Sequence, residues 1–266
     1  MPIPATLFIL QEIIKMSDEQ TLYDDSIFYD LVHGEFAPPE TLAFYEDKIT
    51  LYGSPVLELA CGSGAYVIPL AEKGISIIGV DISDEMLSRA KEKAAARNVA
   101  VDLRKSDIRD FELNQKFPLI LLLGNSLQHL LTRADLEKCF AAVKRHLTPN
   151  GRFVVEVFNP SVKILARKPD ENVLDSEYDT AEGKMILTGK VNYDAATQIN
   201  HINWNYQNAT TGKSKRFSFT MRQFFPQEFD ALLHYNNFQI EQKFGNRDGS
   251  PFESNSPRQI VVASTV

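Results

Sequence analysis

The stretch Val56-Leu57-Glu58-Leu59-Ala60-Cys61-Gly62-Ser63-Gly64 decides the fold, because an apolar run passes directly into a glycine-rich turn. Val56, Leu57 and Leu59 read as a buried strand. Gly62 and Gly64 remove the Cβ atoms that would keep a ligand away from the backbone. Seventeen residues beyond Gly64 a second apolar run ends on Asp81, a position from which a carboxylate can meet a ribose. A dinucleotide fingerprint would carry a third glycine three residues after the second, for close helix packing beside a pyrophosphate, and here that position is Val67. The turn predicts a nucleoside site that needs no pyrophosphate.

Working outward, strands and helices alternate. Strands are expected at 55–60, 76–81, 99–103, 118–123 and 152–158, and helices at 65–73, 84–97 and 133–147. This alternation predicts a parallel sheet with helices on both faces. Ser83 is the expected N-cap of the second helix, with Asp84 and Glu85 complementing its dipole. Met86, Leu87 and Ala90 give that helix a buried stripe. Asn150 and Gly151 are expected to supply positive-φ positions in the turn that enters the fifth strand.

Between Asp175 and Phe225 the pattern becomes one of alternation, Ile199, His201, Asn203 and Asn205 against Asn200, Ile202, Trp204 and Tyr206. This predicts an antiparallel insertion of about three strands, given strands of 5 to 6 residues. A helix with proline in its first turn follows from Pro226, and strands at 238–244 and 259–264 close the chain. The expected division is a helical cap over 1–50, an α/β core over 51–170, a β lid over 171–225, and a helix and hairpin completing the core over 226–266.

Glu58, Gly62, Gly64, Asp81 and the Ser106-Asp107-Ile108 segment, in this order and spacing, resemble the motifs of class I S-adenosylmethionine-dependent methyltransferases. The resemblance implies a Rossmann-like sheet of seven strands with one antiparallel strand, and S-adenosyl-L-methionine as cofactor. It implies that Asp81 accepts the ribose hydroxyls, Ile82 packs on adenine, Asp107 accepts the adenine amine and Ile108 covers the other ring face. Ala60, Met86 and Leu123 complete the set of cofactor-lining positions.

Gly124-Asn125-Ser126-Leu127-Gln128-His129-Leu130 follows a wholly apolar strand, and sudden polarity at a strand exit marks a site. The string is similar to the corresponding segment of glycine N-methyltransferases, and the β insertion resembles theirs and that of amino-sugar N-methyltransferases. The resemblance implies that Asn125 lines an acceptor pocket. A turn role for Asn125 remains open, as does helix capping or packing for His129, which is otherwise placed to act as a base. Tyr29 in Tyr29-Asp30-Leu31-Val32 resembles, more closely than Tyr23, the tyrosine lying over the cofactor in small-molecule methyltransferases; helix packing is the other reading. Trp204, Tyr206, Arg222 and Phe224 either form an acceptor-facing wall, with Arg222 catching a carboxylate, or pack on the core. In glycine N-methyltransferases an arginine shortly before the first motif holds the cofactor carboxylate, but no arginine occurs between Met1 and Glu58. That anchor is absent or replaced.

A chain of 266 residues, 44% hydrophobic, can bury one full core, and its formal charge of −7 argues against a phosphate-bound nucleic-acid partner. The Lys213-Ser214-Lys215-Arg216 cluster reads as a solvated turn. Two cysteines suggest neither a disulfide framework nor a metal cluster, and point to a reducing, cytoplasmic setting. The histidines lack metal-ligand spacing. Leu7 to Leu10 reads as part of an amphipathic helix, too short for a leader, and no apolar stretch reaches membrane-spanning length. The expected partner is a small-molecule methyl acceptor. Two rivals remain, an NAD-dependent dehydrogenase and a non-catalytic cofactor-binding module.

Overall fold

The computed structural model describes residues 21–168, 171–180 and 183–266; the expected N-terminal amphipathic helix lies outside them. The elements in chain order are α1 (Ser26–His33), α2 (Pro39–Tyr52), β1 (Val56–Leu59), α3 (Val67–Glu72), β2 (Ile77–Asp81), α4 (Asp84–Ala96), β3 (Asp102–Lys105), β4 (Phe117–Leu122), α5 (Arg133–His146), β5 (Leu147–Phe158), α6 (Val162–Leu165), β6 (Asn172–Thr180), β7 (Gly183–Asp194), β8 (Ile199–Asn208), β9 (Ser214–Arg222), α7 (Pro226–Tyr235), β10 (Phe238–Phe244) and β11 (Arg258–Thr265). Short 3-10 turns at Leu22–Asp24 and Ser126–His129 complete the set.

Seven strands form one sheet in the order β10-β11-β5-β4-β1-β2-β3. The first five pair in parallel, and β11 runs antiparallel to both β5 and β10. The central strands β1 and β2 are buried at every residue, as helices on both faces require. Leu57 and Leu59 face the layer that includes Phe140 of α5 and Phe229 of α7. Val56 joins the opposite layer with Tyr45 of α2, Ile68 of α3 and Leu87 of α4. Because β1 lies between β2 and β4, the strand order reverses there, and its carboxyl end is the place where such sheets bind ligands.

The second sheet, β6-β7-β8-β9, is antiparallel throughout. It has four strands rather than three. The missed strand, β6, is an edge strand whose Glu177 and Asp179 are exposed; with only one neighbour it shows little apolar periodicity. The turn into β5 also differs from expectation. Neither Asn150 nor Gly151 has positive φ, and β5 begins already at Leu147. Gly151 is needed for closeness instead, since a Cβ there would lie 2.9 Å from the Phe117 carbonyl oxygen.

One buried ion cluster ties the C-terminal segment to the sheet. Glu156, fully buried on β5, accepts from Arg247 Nη2 at 2.6 Å, Arg247 Nε at 2.9 Å, Arg258 Nη1 at 3.0 Å and the Tyr45 hydroxyl at 2.5 Å. Removing the carboxylate strands two arginines. Glu156→Ala should therefore lower unfolding free energy by about 3 to 5 kcal/mol, read as a lower urea midpoint at unchanged slope.

Candidate functional site

The floor of the site is the turn between β1 and α3. Ala60, Gly62 and Gly64 all have positive φ, at 53°, 54° and 87°, so the backbone doubles back at the strand exit. Asp81 fixes it: Oδ2 accepts from the Gly62 N–H and Oδ1 from the Ser83 N–H, each at 2.8 Å. A carboxylate oxygen has two acceptor sites, so each can still take a hydroxyl. The two glycines do different work. A Cβ on Gly62 would meet nothing within 4 Å, leaving open space where a ligand can touch backbone, whereas one on Gly64 would lie 2.5 Å from Ile68 Cδ1 and 3.3 Å from Ala90 Cβ. Gly64 is thus required by helix packing, a demand beyond the ligand approach expected of it.

Around this floor the nominated residues divide. Ile82 is 59% exposed beside the buried Asp81, an apolar face open to an adenine. Met86 and Leu123 are sealed at 1% and 3% exposure; protein atoms already cover them, so they underlie the site rather than line it. Ala60 and Ile108 pack partly against the core. Asp107 is engaged by Arg109, whose Nε lies 3.0 Å from both oxygens and Nη2 2.5 Å from Oδ2. That guanidinium holds the Asp107 carboxyl below its ordinary range. Any adenine amine must share the carboxylate with Arg109, which sequence reasoning did not foresee.

Glu58 lies beneath the turn, 2% exposed, and its Oε2 has no hydrogen-bond partner among the described residues. Burial, reinforced by nearby Asp81, raises its pKa to about 8, against a hydrogen bond from the Val67 backbone that lowers it. The open Gly62 cradle, the orphaned Glu58 oxygen, the half-used Asp81 and the bare Ile82 fit a cationic adenosyl ligand. No group of three or more potential ligands is placed to hold a metal among the described residues.

Asp30 was missed as a site residue. It is 3% exposed and accepts from Ser63 Oγ at 2.6 Å, Arg89 Nε at 2.7 Å and Lys93 Nζ at 3.0 Å. Ser63 belongs to the glycine turn and the two cations to α4, so Asp30 pins α1 down over the cofactor floor. The only sequence signal was its place in the Tyr29-Asp30 string; partners 33 to 63 positions away carry no local pattern.

The opposite wall is built from the strand exit after β4. Asn125 sits in the left-handed region at φ 66°, 8% exposed, and its Oδ1 has no hydrogen-bond partner among the described residues. His129 Nε2 lies 2.7 Å from the Tyr23 hydroxyl. Burial lowers the His129 pKa, opposed by a hydrogen bond with the Thr220 backbone, so the ring is neutral and Nε2 accepts the Tyr23 proton. Tyr23 therefore meets the histidine, a contact that sequence reading did not foresee. Tyr29 lies beside Tyr23, ring centroids 5.9 Å apart, and its hydroxyl pKa is pushed up to about 12 by burial and by Asp30 and Asp81.

Trp204 faces this region from β8, in ring contact with Phe219 at 4.8 Å, and its Nε1 is unpartnered. Arg222 does not join it. Register pairs Arg222 with Ile199 and Met221 with Asn200, and alternation puts Arg222 on the face opposite Trp204. Its guanidinium bonds the Glu228 carboxylate at 2.9 Å and the Leu131 carbonyl at 3.2 Å, so it closes a structural joint. Tyr206 and Phe224 are buried core side chains.

The methyltransferase domain family matches residues 56–151. YqeM of Bacillus subtilis (strain 168), a methyltransferase by name, is 30% identical over 190 residues, covering 70% of this chain and 74% of that protein. The dTDP-3-amino-3,6-dideoxy-alpha-D-glucopyranose N,N-dimethyltransferase of Streptomyces fradiae is 31% identical over 133 residues, 48% of this chain and 51% of that one. Among solved structures, an S-adenosylmethionine-dependent methyltransferase from Clostridium acetobutylicum ATCC 824 shares the fold with a TM-score of 0.73 at 22% identity, over 90% of this chain and 96% of that one. The open glycine turn, the stitched Asp81 and these likenesses together place the chain in the methyltransferase family, as an enzyme whose cofactor is S-adenosylmethionine.

Proposed function

We propose that this enzyme methylates a nitrogen or oxygen atom of a small soluble metabolite. The observation that carries the reading is a pair of buried polar atoms with no hydrogen-bond partner among the described residues, Asn125 Oδ1 at the exit of β4 and Trp204 Nε1 on β8 of the second sheet. Buried polar groups without partners are costly, and a polar acceptor would satisfy them. On this reading the described part of residues 1–50 caps the site, that of 51–170 binds the cofactor, that of 171–225 forms a lid that selects the acceptor, and 226–266 complete the sheet. No described helix is long and apolar enough to cross a membrane, and Cys61 and Cys139 are free and buried, which supports work in the reducing cytoplasm.

Bound S-adenosylmethionine supplies an electrophilic methyl group. The protein's part is to orient the acceptor and keep water out. Asp81 and Gly62 would hold the ribose and the backbone-facing edge, Ile82 and Asp107 the adenine, and Glu58 the cationic end. Asn125 would orient the acceptor atom. Neutral His129, whose Nε2 already accepts from Tyr23, would take a proton only through that hydroxyl, the Tyr23 oxygen receiving the proton that an amine or hydroxyl gives up as it passes its own to Nε2.

S-adenosylhomocysteine titration, followed by product release across amine and hydroxyl acceptor panels, tests the proposal; binding without turnover on any small acceptor would overturn it. Asp81→Asn should weaken that affinity by about 1.5 to 3 kcal/mol, whereas unchanged affinity contradicts the ribose assignment. Gly62→Ala should chiefly weaken cofactor affinity. Gly64→Ala should chiefly lower stability, by about 1 to 3 kcal/mol, and calorimetry beside urea melts separates the two. For Glu58 the folded pKa exceeds the ordinary one, so the folded chain holds a proton that the unfolded chain has lost. Stability should fall as pH rises from 4.5 toward about 8, and Glu58→Gln should flatten that slope in urea melts.

A further inference from the structure

Six aromatic side chains close a circuit above the cofactor floor. His129 meets Tyr23 at 5.3 Å between centroids, Tyr23 meets Tyr29 at 5.9 Å, and Tyr29 meets His33 at 4.6 Å. His33 meets Trp204 at 5.9 Å, Trp204 meets Phe219 at 4.8 Å, and Phe219 returns to His129 at 6.5 Å. Three independent parts of the chain supply them: the N-terminal turn with α1, the exit of β4, and the second sheet.

From this circuit we infer an ammonium-binding site, in which the amine end of the methyl acceptor, or its methylated product, sits among the ring faces as a cation. The inference rests on the methyltransferase reading and deepens it, committing the acceptor atom to nitrogen.

Burial separates these rings from ordinary core. Phe28, Tyr206 and Phe217, stacked directly behind, are at most 5% exposed, whereas five of the six circuit rings are half-buried and His33 is exposed. The circuit therefore keeps partial access to solvent, and His33 is its most open member. Ring faces carry negative potential, and a cation within about 6 Å of several is held by all of them. The local charge agrees: Asp81 acts electrostatically on both Tyr23 and Tyr29. Nearby cations are engaged elsewhere, Arg89 and Lys93 on Asp30 and Arg222 on Glu228. The unpartnered Trp204 Nε1 is a donor suited to an oxygen on the same acceptor.

Trp204 is the chain's single tryptophan, so its fluorescence reports directly on the ring circuit. The full chain, with and without saturating S-adenosylhomocysteine, is titrated with choline and with 3,3-dimethylbutan-1-ol, which has the same shape without the charge. Choline should half-saturate the Trp204 signal at about tenfold lower concentration, and Phe219→Leu should cut that preference to about threefold or less without changing S-adenosylhomocysteine affinity measured by calorimetry. Equal response to both probes, no response to either, or an unaltered preference in Phe219→Leu overturns the ammonium site. Failure of S-adenosylhomocysteine to bind at all would instead strike the methyltransferase reading.

Discussion

The Asp30 carboxylate holds the two halves of the site together. It is buried at the contact of α1, the glycine turn and α4, and accepts from Ser63, Arg89 and Lys93. A carboxylate taken out of water persists only when charges and donors replace the lost solvation, so this cluster forms as a unit. Lys93 adds a bond to the Glu35 carbonyl at 2.5 Å, extending the grip to the residue pair after α1. Once α1 is seated, Phe28 is driven against Tyr206 and Phe217 of the second sheet, centroids 4.8 and 5.3 Å away. Tyr23 and Tyr29 thereby arrive over Asp81. The pin thus gives the second sheet a tether to the cofactor floor through α1, beside the one that runs through Gln128.

The electrostatics of the floor follow from the ligand it suits. Burial pushes both Glu58 and Asp81 above their ordinary pKa values, an unfavourable state for two neighbouring acids in a chain without ligand. A cationic adenosyl compound reverses the sign of the local field and favours ionising both. The same logic explains why Arg109 stands on Asp107 at the outer edge rather than deeper in: there it stabilises an acid 29% exposed on its side chain without spending the inner carboxylates.

Much of this was legible. The switch from the run Val56 to Leu59 into Gly62 and Gly64, with Asp81 downstream, located the floor because strand burial and positive φ act over neighbouring residues. The alternation from Ile199 to Tyr206 found β8, since a sheet with one covered face writes its period into the sequence. What was illegible depended on distant pairing. Arg222 looked like an anion-catching side chain until register with Ile199 turned it to the other face, where Glu228 waits. Tyr23 and Tyr29 share similar local strings, and only the fold brings Tyr23 to His129, 106 positions away. Asp30 was invisible as a pin for the same reason.

The turn after β4, proposed above to face the acceptor, shows how such distant pairing fixes geometry. Asn125 and His129 sit on a short 3-10 turn, which by itself would drift. Gln128 between them is fully buried; its Nε2 donates to the Arg222 carbonyl at 2.7 Å and its Oε1 accepts from the Phe158 N–H at 3.0 Å. One side chain thus bolts the turn to the ends of β5 and β9. Arg222 adds its bond to the Leu131 carbonyl just beyond the turn. The residue that failed as an anion catcher therefore serves by fixing the wall opposite the cofactor. Methyl transfer in line depends on alignment more than on covalent help, and under the proposed function the attachment of this turn to both sheets would supply that alignment before any acceptor arrives.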